Sequence, residues 1–198
     1  MDIINSSNYQ ITLGSGSSRR KELLEMTGIK FDINSNPVNE DFPDTLRSKE
    51  IAEFIVTKKT NSFRELVKEN QIIITADTLV WFEEKCWGKP KDKMEAKKML
   101  KMFGGVSHDV ITSVGFLTSK NFEILTETTK VTYKELTDKE INYYVDKVNP
   151  IDKAGSYGIQ DWIGMIGVEQ ISGSYTSVLG LPVPQVTKQI LKIINENL

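Results

Sequence analysis

One carboxylate stands out in this chain. Asp77 lies in Thr75-Ala76-Asp77-Thr78, after the apolar run Ile72-Ile73-Ile74 and before a second run, Leu79-Val80-Trp81-Phe82. Short β-branched and aromatic runs read as buried strands, here residues 71–75 and 79–82. A charge between them is costly unless it is paired or holds a metal. The plainer alternative is a turn aspartate. A second group is Ser15-Gly16-Ser17-Ser18-Arg19-Arg20 at the expected junction of a strand and a helix. Small residues let a ligand approach the backbone, and a helix N-terminus favours phosphate. Two arginines there are the wrong charge for that end unless an anion is present. The alternative is an ordinary helix cap with solvated arginines. The loop matches neither GxxxxGK[ST] nor a fully spaced GxGxxG.

Lys59 is the third candidate. On a helical wheel over residues 46–69, at ~100° per residue, it falls amid Ile51, Ala52, Ile55, Val56, Phe63, Leu66 and Val67. A lysine on an apolar stripe must meet an anion or snorkel to water. Lys89, fixed before Pro90, is a candidate phosphate-facing charge or a plain surface lysine. Glu40 could be a second carboxylate beside Asp77, because Mg²⁺ takes one or two carboxylates together with phosphate oxygens. The segment Asp152-Lys153-Ala154-Gly155-Ser156-Tyr157-Gly158-Ile159-Gln160 mixes charge, glycine and an amide. Gln160 can both donate and accept, which suits reading a base edge; an ordinary glycine-rich loop is the alternative.

Several elements must position these groups. A strand is expected from Tyr9 to Leu13, then a helix to about Met26 closed by Gly28. A helix is expected from about Lys93 to Phe103, opened by Asp92 and Glu95, with Ala96, Met99, Leu100 and Phe103 on one face. Two long strands, roughly 109–118 and 122–133, make a hairpin around Lys120-Asn121. Thr137 and Glu140 form a capping box before a helix carrying Ile141, Tyr144, Val145 and Val148. Residues 152–182 are glycine-rich and aperiodic, so loop with short strands is expected; Pro184 then starts a C-terminal helix. The class is α/β with a mixed sheet.

At 198 residues the chain is long enough for one compact domain with a real core. Its formal net charge of -2 gives no general attraction to nucleic acid or anionic membrane. No apolar stretch approaches the ~20 residues of a membrane span. The start of the sequence lacks a basic segment followed by a long apolar one, so no secretory signal is expected. The single cysteine, Cys86, excludes an internal disulfide and a cysteine-based zinc cluster, and fits a cytoplasmic setting. The single histidine, His108, reads as structural, which argues against a histidine-based triad.

Taken in order, these pieces resemble the Maf family of nucleoside triphosphate pyrophosphatases. LGSGSSRRKELLEMTGIKF is similar to the family's S-x-S-P-R-R-x-E-L-L opening, with Ser18 where the proline usually stands. ITADTLV and GKPKDKMEAKKMLKMFGGVSHDVITSV resemble its A-D-T, K-P and G-x-x-H-x-V stretches; DKAGSYGIQ and GSYTSVLGLP resemble its C-terminal signature. The likeness runs from about Ile11 to Pro184, and Thr60 replaces the alanine usual after the helix lysine.

The resemblance implies a long, curved mixed β-sheet with flanking helices, forming two lobes around a deep cleft, as in Ham1 and inosine-triphosphatase-like proteins. Residues 1–198 would be one such domain. It implies water attack at the α-phosphorus of a nucleoside triphosphate, yielding a monophosphate and pyrophosphate with Mg²⁺ or Mn²⁺. Asp77 and Glu40 would hold the metal, and Arg19, Arg20, Lys59 and Lys89 would neutralise the triphosphate. Ser15, Gly16 and Ser17 would cradle phosphate oxygens, while Thr78, Asp152, Lys153, Gln160 and again Arg20 would contact substrate. Gln160 resembles the dTTP- and UTP-preferring branch. A purine or 7-methyl-GTP preference, and a nucleotide-binding regulator without turnover, are the other readings. The family admits homodimers, although no self-complementary patch is legible here.

Overall fold

The computed structural model describes residues 2–196, so Met1, Asn197 and Leu198 lie outside it. In chain order the first elements are α1 (Asp2–Ser6), β1 (Gln10–Leu13), α2 (Ser18–Glu25), β2 (Asp32–Ile33) and α3 (Lys49–Asn61). Then come β3 (Gln71–Phe82), β4 (Lys85–Trp87), α4 (Lys93–Phe103), β5 (Ser107–Leu117) and β6 (Phe122–Tyr133). The chain continues through α5 (Asp138–Val148), α6 (Trp162–Gly167), β7 (Val168–Ser172), α7 (Tyr175–Val178) and α8 (Val183–Glu196).

Seven strands among the described residues form one mixed sheet in the order β2-β1-β3-β5-β6-β7, with β4 folded back on β3. β1 runs parallel to β2 and β3; the β3–β5–β6–β7 ladder is antiparallel. The α/β class and mixed sheet are as the sequence indicates.

β3 corrects the expectation of two strands around a turn. It is continuous from Gln71 to Phe82, and Asp77 sits mid-strand opposite Ser113. Nothing in Thr75-Ala76-Asp77-Thr78 forces a turn, and β5 pairs with every residue from Ile73 to Trp81. Side chains alternate along a strand. Thr75, Asp77 and Leu79 therefore face α3, while Ala76, Thr78 and Val80 face the other side. Thr75 bonds the Thr60 hydroxyl of α3 at 2.6 Å.

β1 follows β3 only as far as Leu13 opposite Ile74, then leaves through Gly14. A Cβ on Gly14 would meet Thr75 Cγ2 at 2.9 Å and Phe63 Cε2 at 3.0 Å, so only glycine makes this exit. Beyond it the β3 edge at Asp77 opens into a cleft. Two apolar cores flank that opening along the same long strands. One gathers Ile72, Ile74, Val114 and Phe116 with Ile190 and Ile194 of α8. The other gathers Val80, Val110, Val131 and Tyr133 with Leu100, Phe103 and Tyr144 of α4 and α5. The two expected lobes are these two cores.

The helices differ from expectation mainly at their ends. α3 stops at Asn61, because residues 62–66 continue only as turns. Phe63 still packs inward, but Leu66 is exposed and leaves the stripe assigned to it. The Thr137–Glu140 capping box forms in full. At α4 Asp92 caps the Glu95 N–H, while the Glu95 carboxylate accepts from Lys91 and not from Asp92. α8 begins one residue before Pro184. Residues 152–182, expected as loop with short strands, hold α6, α7, a short 3-10 turn and one strand.

Candidate active site

A cleft of about 730 Å³ opens where β1 and β3 part. That is within the range of a small-ligand site. Its walls carry all the residues singled out from sequence: Ser15, Gly16, Ser17, Arg19 and Arg20 on one side, and Asp152, Lys153 and Gln160 on the other. Glu40, Lys59, Asp77, Thr78 and Lys89 line it as well. Five cations (Arg19, Arg20, Lys59, Lys89, Lys153) face three carboxylates (Glu40, Asp77, Asp152) in this lining. The cleft is thus cationic in a chain whose net charge is -2. Such focusing draws anions.

Lys59 sits between two carboxylates. Its Nζ is 2.7 Å from Asp77 Oδ1 and 2.8 Å from Glu40 Oε1. The Lys59 and Asp77 side chains are only 17% and 10% exposed, whereas Glu40 is 57% exposed. The lysine on the apolar stripe therefore meets anions instead of snorkelling. Burial works to raise the Glu40 carboxyl, but the Lys59 hydrogen bond and charge, with Lys89 and Arg20, hold it below its ordinary value. Among the described residues no three ligand-type side chains cluster as a preformed metal cage. Two carboxylates with an open face do suit a cation that also takes phosphate oxygens and water.

Arg20 is held by neutral oxygens. Its Nε donates to the Gly180 carbonyl at 2.9 Å, Nη1 to Ser15 Oγ at 3.2 Å and Nη2 to Thr78 Oγ1 at 3.2 Å. Burial, above all, lowers its pKa, Asp77 opposes that, and Arg19 adds to it. A guanidinium has five N–H donors, so two remain for a ligand. Arg19 reaches across the cleft to Asp152 at 3.3 Å. Burial tends to raise the Asp152 carboxyl, but Lys153 at 2.9 Å and Arg19 hold it low.

The loop before α2 departs from one expectation. The Ser17 N–H is engaged by Ser15 Oγ at 3.3 Å, and the Ser17 hydroxyl caps the Arg20 N–H at 3.5 Å. Its amides therefore do not all point at a ligand. Ser18 begins α2 without the proline usual in the resembling family, and both arginines keep their first-turn places.

Sequence reasoning missed the frame behind Gln160. Tyr144 donates to Asp161 Oδ2 at 2.7 Å and accepts from the Gly158 N–H at 3.2 Å, closing the turn that carries Gln160. Tyr157, which also lines the cleft, bonds His108 Nε2 at 2.7 Å. His108 is thus structural, as expected. The signal for Tyr144 was present only as a large polar-tipped residue on an apolar stripe.

Comparison with known proteins bears on the same residues. Residues 10–193 match the family model for Maf-like proteins. A dTTP/UTP pyrophosphatase of Christiangramia forsetii is 47% identical over 95% of this chain and 96% of its own. Proteins of the same name from Flavobacterium johnsoniae (42%, over 94% and 96%) and Phocaeicola vulgatus (44%, over 96% and 98%) align similarly. Among solved structures, the Staphylococcus aureus Ham1 protein superposes on 64% of this chain and 72% of that one, with a TM-score of 0.43 and 12% identity. The fold assignment rests on strand order, not on that slight likeness. With a family match reaching from β1 into α8, the chain belongs to the Maf-like protein family.

Proposed function

We propose that this protein hydrolyses nucleoside triphosphates between the α- and β-phosphates, releasing a monophosphate and pyrophosphate, with dTTP and UTP preferred. The observation that carries this reading is the Glu40–Lys59–Asp77 cluster in a cleft that is otherwise cationic. The names of the close relatives point to the same substrates. The chain acts as one domain in this reading.

Asp77 orients the attacking water and takes its proton, held in place by the rigid centre of β3. Asp77 and Glu40 would also hold a Mg²⁺ or Mn²⁺ ion, which when bound would supply charge to offset the phosphates and lower the pKa of a water. Arg19, Arg20, Lys59 and Lys89 neutralise phosphate charge that grows in the transition state. Ser15 and Gly16 give the triphosphate close backbone approach. Gln160 offers its amide N–H to the carbonyl and its amide oxygen to the ring N–H of a thymine or uracil edge. Asp152 and Lys153 fix the wall beside it. Nothing in this chemistry needs nucleic acid, and no helix among the described residues is long and apolar enough to cross a membrane. A cytoplasmic setting fits a nucleotide substrate.

Purified protein with Mg²⁺ or Mn²⁺ and a panel of canonical and modified triphosphates tests the reading. Monophosphate plus pyrophosphate, fastest from dTTP or UTP, is expected. Diphosphate plus orthophosphate, or no turnover of any triphosphate, overturns it. Gln160→Glu should erode pyrimidine preference; an unchanged substrate profile would remove Gln160 from base reading.

A further inference from the structure

Two of the three acceptors that hold Arg20 need support from elsewhere. The Thr78 hydroxyl can rotate, and Gly180 sits in a loop at φ +110°, a conformation open mainly to glycine. Both are anchored on one backbone carbonyl. Thr78 Oγ1 lies 2.9 Å from Thr112 Oγ1, and the Thr112 hydroxyl donates to the Ser177 carbonyl at 2.8 Å. The Gly180 N–H donates to the same carbonyl at 2.9 Å. The hydrogen bonds close a ring from Arg20 Nη2 through Thr78, Thr112, Ser177 and Gly180 back to Arg20 Nε.

The ring has only one direction. A carbonyl only accepts, so the single proton of Thr112 is spent on Ser177. Thr112 must then accept from Thr78. The Thr78 proton consequently points away from Arg20, and its lone pairs meet a guanidinium that can only donate. Reversal would set an O–H against an N–H. The anchor itself is rigid. Thr112 and Ser177 are both fully buried. The Ser177 hydroxyl bonds Thr129 Oγ1 of β6 at 2.8 Å, and the Ser174 N–H bonds the same oxygen at 2.9 Å.

We propose that Thr112 is a positioning residue: by receiving the Thr78 proton it turns the lone pairs of Thr78 toward Arg20 and so aims the guanidinium into the cleft. This rests on the reading that Arg20 engages the triphosphate. Thr78 then offers the cleft an acceptor alone. It receives an N–H or O–H from the ligand and does not donate to a phosphate oxygen.

The test is a double-mutant cycle read as kcat/KM on the best triphosphate. Thr112→Val keeps the shape and removes the hydroxyl, so kcat/KM should fall about tenfold, the scale of a hydrogen bond to a charged group. Thr112→Ser should restore it to within about twofold, because serine keeps the same donor and acceptor. Thr78→Val should lose at least as much as Thr112→Val, since it also removes the direct contacts to Arg20 and the ligand, and the double variant should lose no more than Thr78→Val alone, because Thr112 acts only through the Thr78 hydroxyl. If Thr112→Val does not fold, Thr112→Ala takes its place in the cycle. Wild-type kcat/KM in the valine variant, failure of serine to rescue, or losses that multiply in the double variant would each overturn the proposal. Those outcomes leave the proposed reaction standing; only a wild-type protein without turnover removes the reaction as well.

Discussion

Replacing Lys59 of α3 by methionine keeps an unbranched apolar stem of similar length and deletes the charge between Asp77 and Glu40. Removing one partner of a fully buried pair costs about 3–5 kcal/mol, and removing one from an exposed pair about 0–1 kcal/mol. The Asp77 half is near the first case, with 10% exposure, and the Glu40 half near the second, with 57%. Asp77 also faces an open cleft, where water returns part of the lost stabilisation. A net cost of about 2 kcal/mol follows. For a chain of this size that lowers the melting temperature by roughly 4–8 °C. The variant also leaves two carboxylates without their shared cation. Added Mg²⁺ or Mn²⁺ should therefore raise its melting temperature more than that of the parent, since a ligand stabilises the state it binds. Scanning calorimetry with and without metal measures both effects. A variant melting within about 1 °C of the parent, or metal raising both proteins equally, would show that Lys59 does not neutralise this pair.

Other expectations follow from neighbouring groups. Burial pushes the His108 imidazole down to about 4 from an ordinary 6.5, so the unfolded chain binds a proton that the folded chain refuses as pH falls between those values. Its contribution is full above about pH 6.5 and lost toward pH 4, by roughly 3 kcal/mol; His108→Gln should flatten that part of the stability curve, and an unchanged slope would contradict the assignment. Burial, reinforced by Asp77, pushes the Cys86 thiol up to about 11. Its alkylation at pH 8 should be much slower in the folded protein than in denaturant, and equal rates would refute this. Tyr144→Phe removes the bonds that close the Gly158–Asp161 turn. It should cost about 1 kcal/mol of stability and weaken discrimination between nucleotides while kcat is retained; unaltered discrimination would mean that the turn does not place Gln160.

Local signals carried well from sequence to structure. The Thr137–Glu140 capping box needs only neighbours three residues apart, and it forms in full. The α4 stripe of Ala96, Met99, Leu100 and Phe103 is buried as its period requires. Asp77 was conspicuous because its flanks are apolar, yet the same flanks concealed that the strand runs straight through it. Continuity depended on β5, a partner more than thirty residues away that local propensity does not report. Lys59 was legible by helical period, although the end of α3 was not, because apolar residues continue past the last helical turn. α6 and α7 span 6 and 4 residues, too few to display a helical period. The Thr112–Ser177 contact joins two neutral groups far apart in sequence, and nothing in their identities marks them as partners.

The central claim is attack at the α-phosphorus. Hydrolysis of dTTP or UTP in oxygen-18-labelled water, with mass analysis of both products, decides it. The account predicts one labelled oxygen in the nucleoside monophosphate and none in the pyrophosphate. Label in the pyrophosphate would place the attack at the β-phosphorus and contradict the role assigned to Asp77.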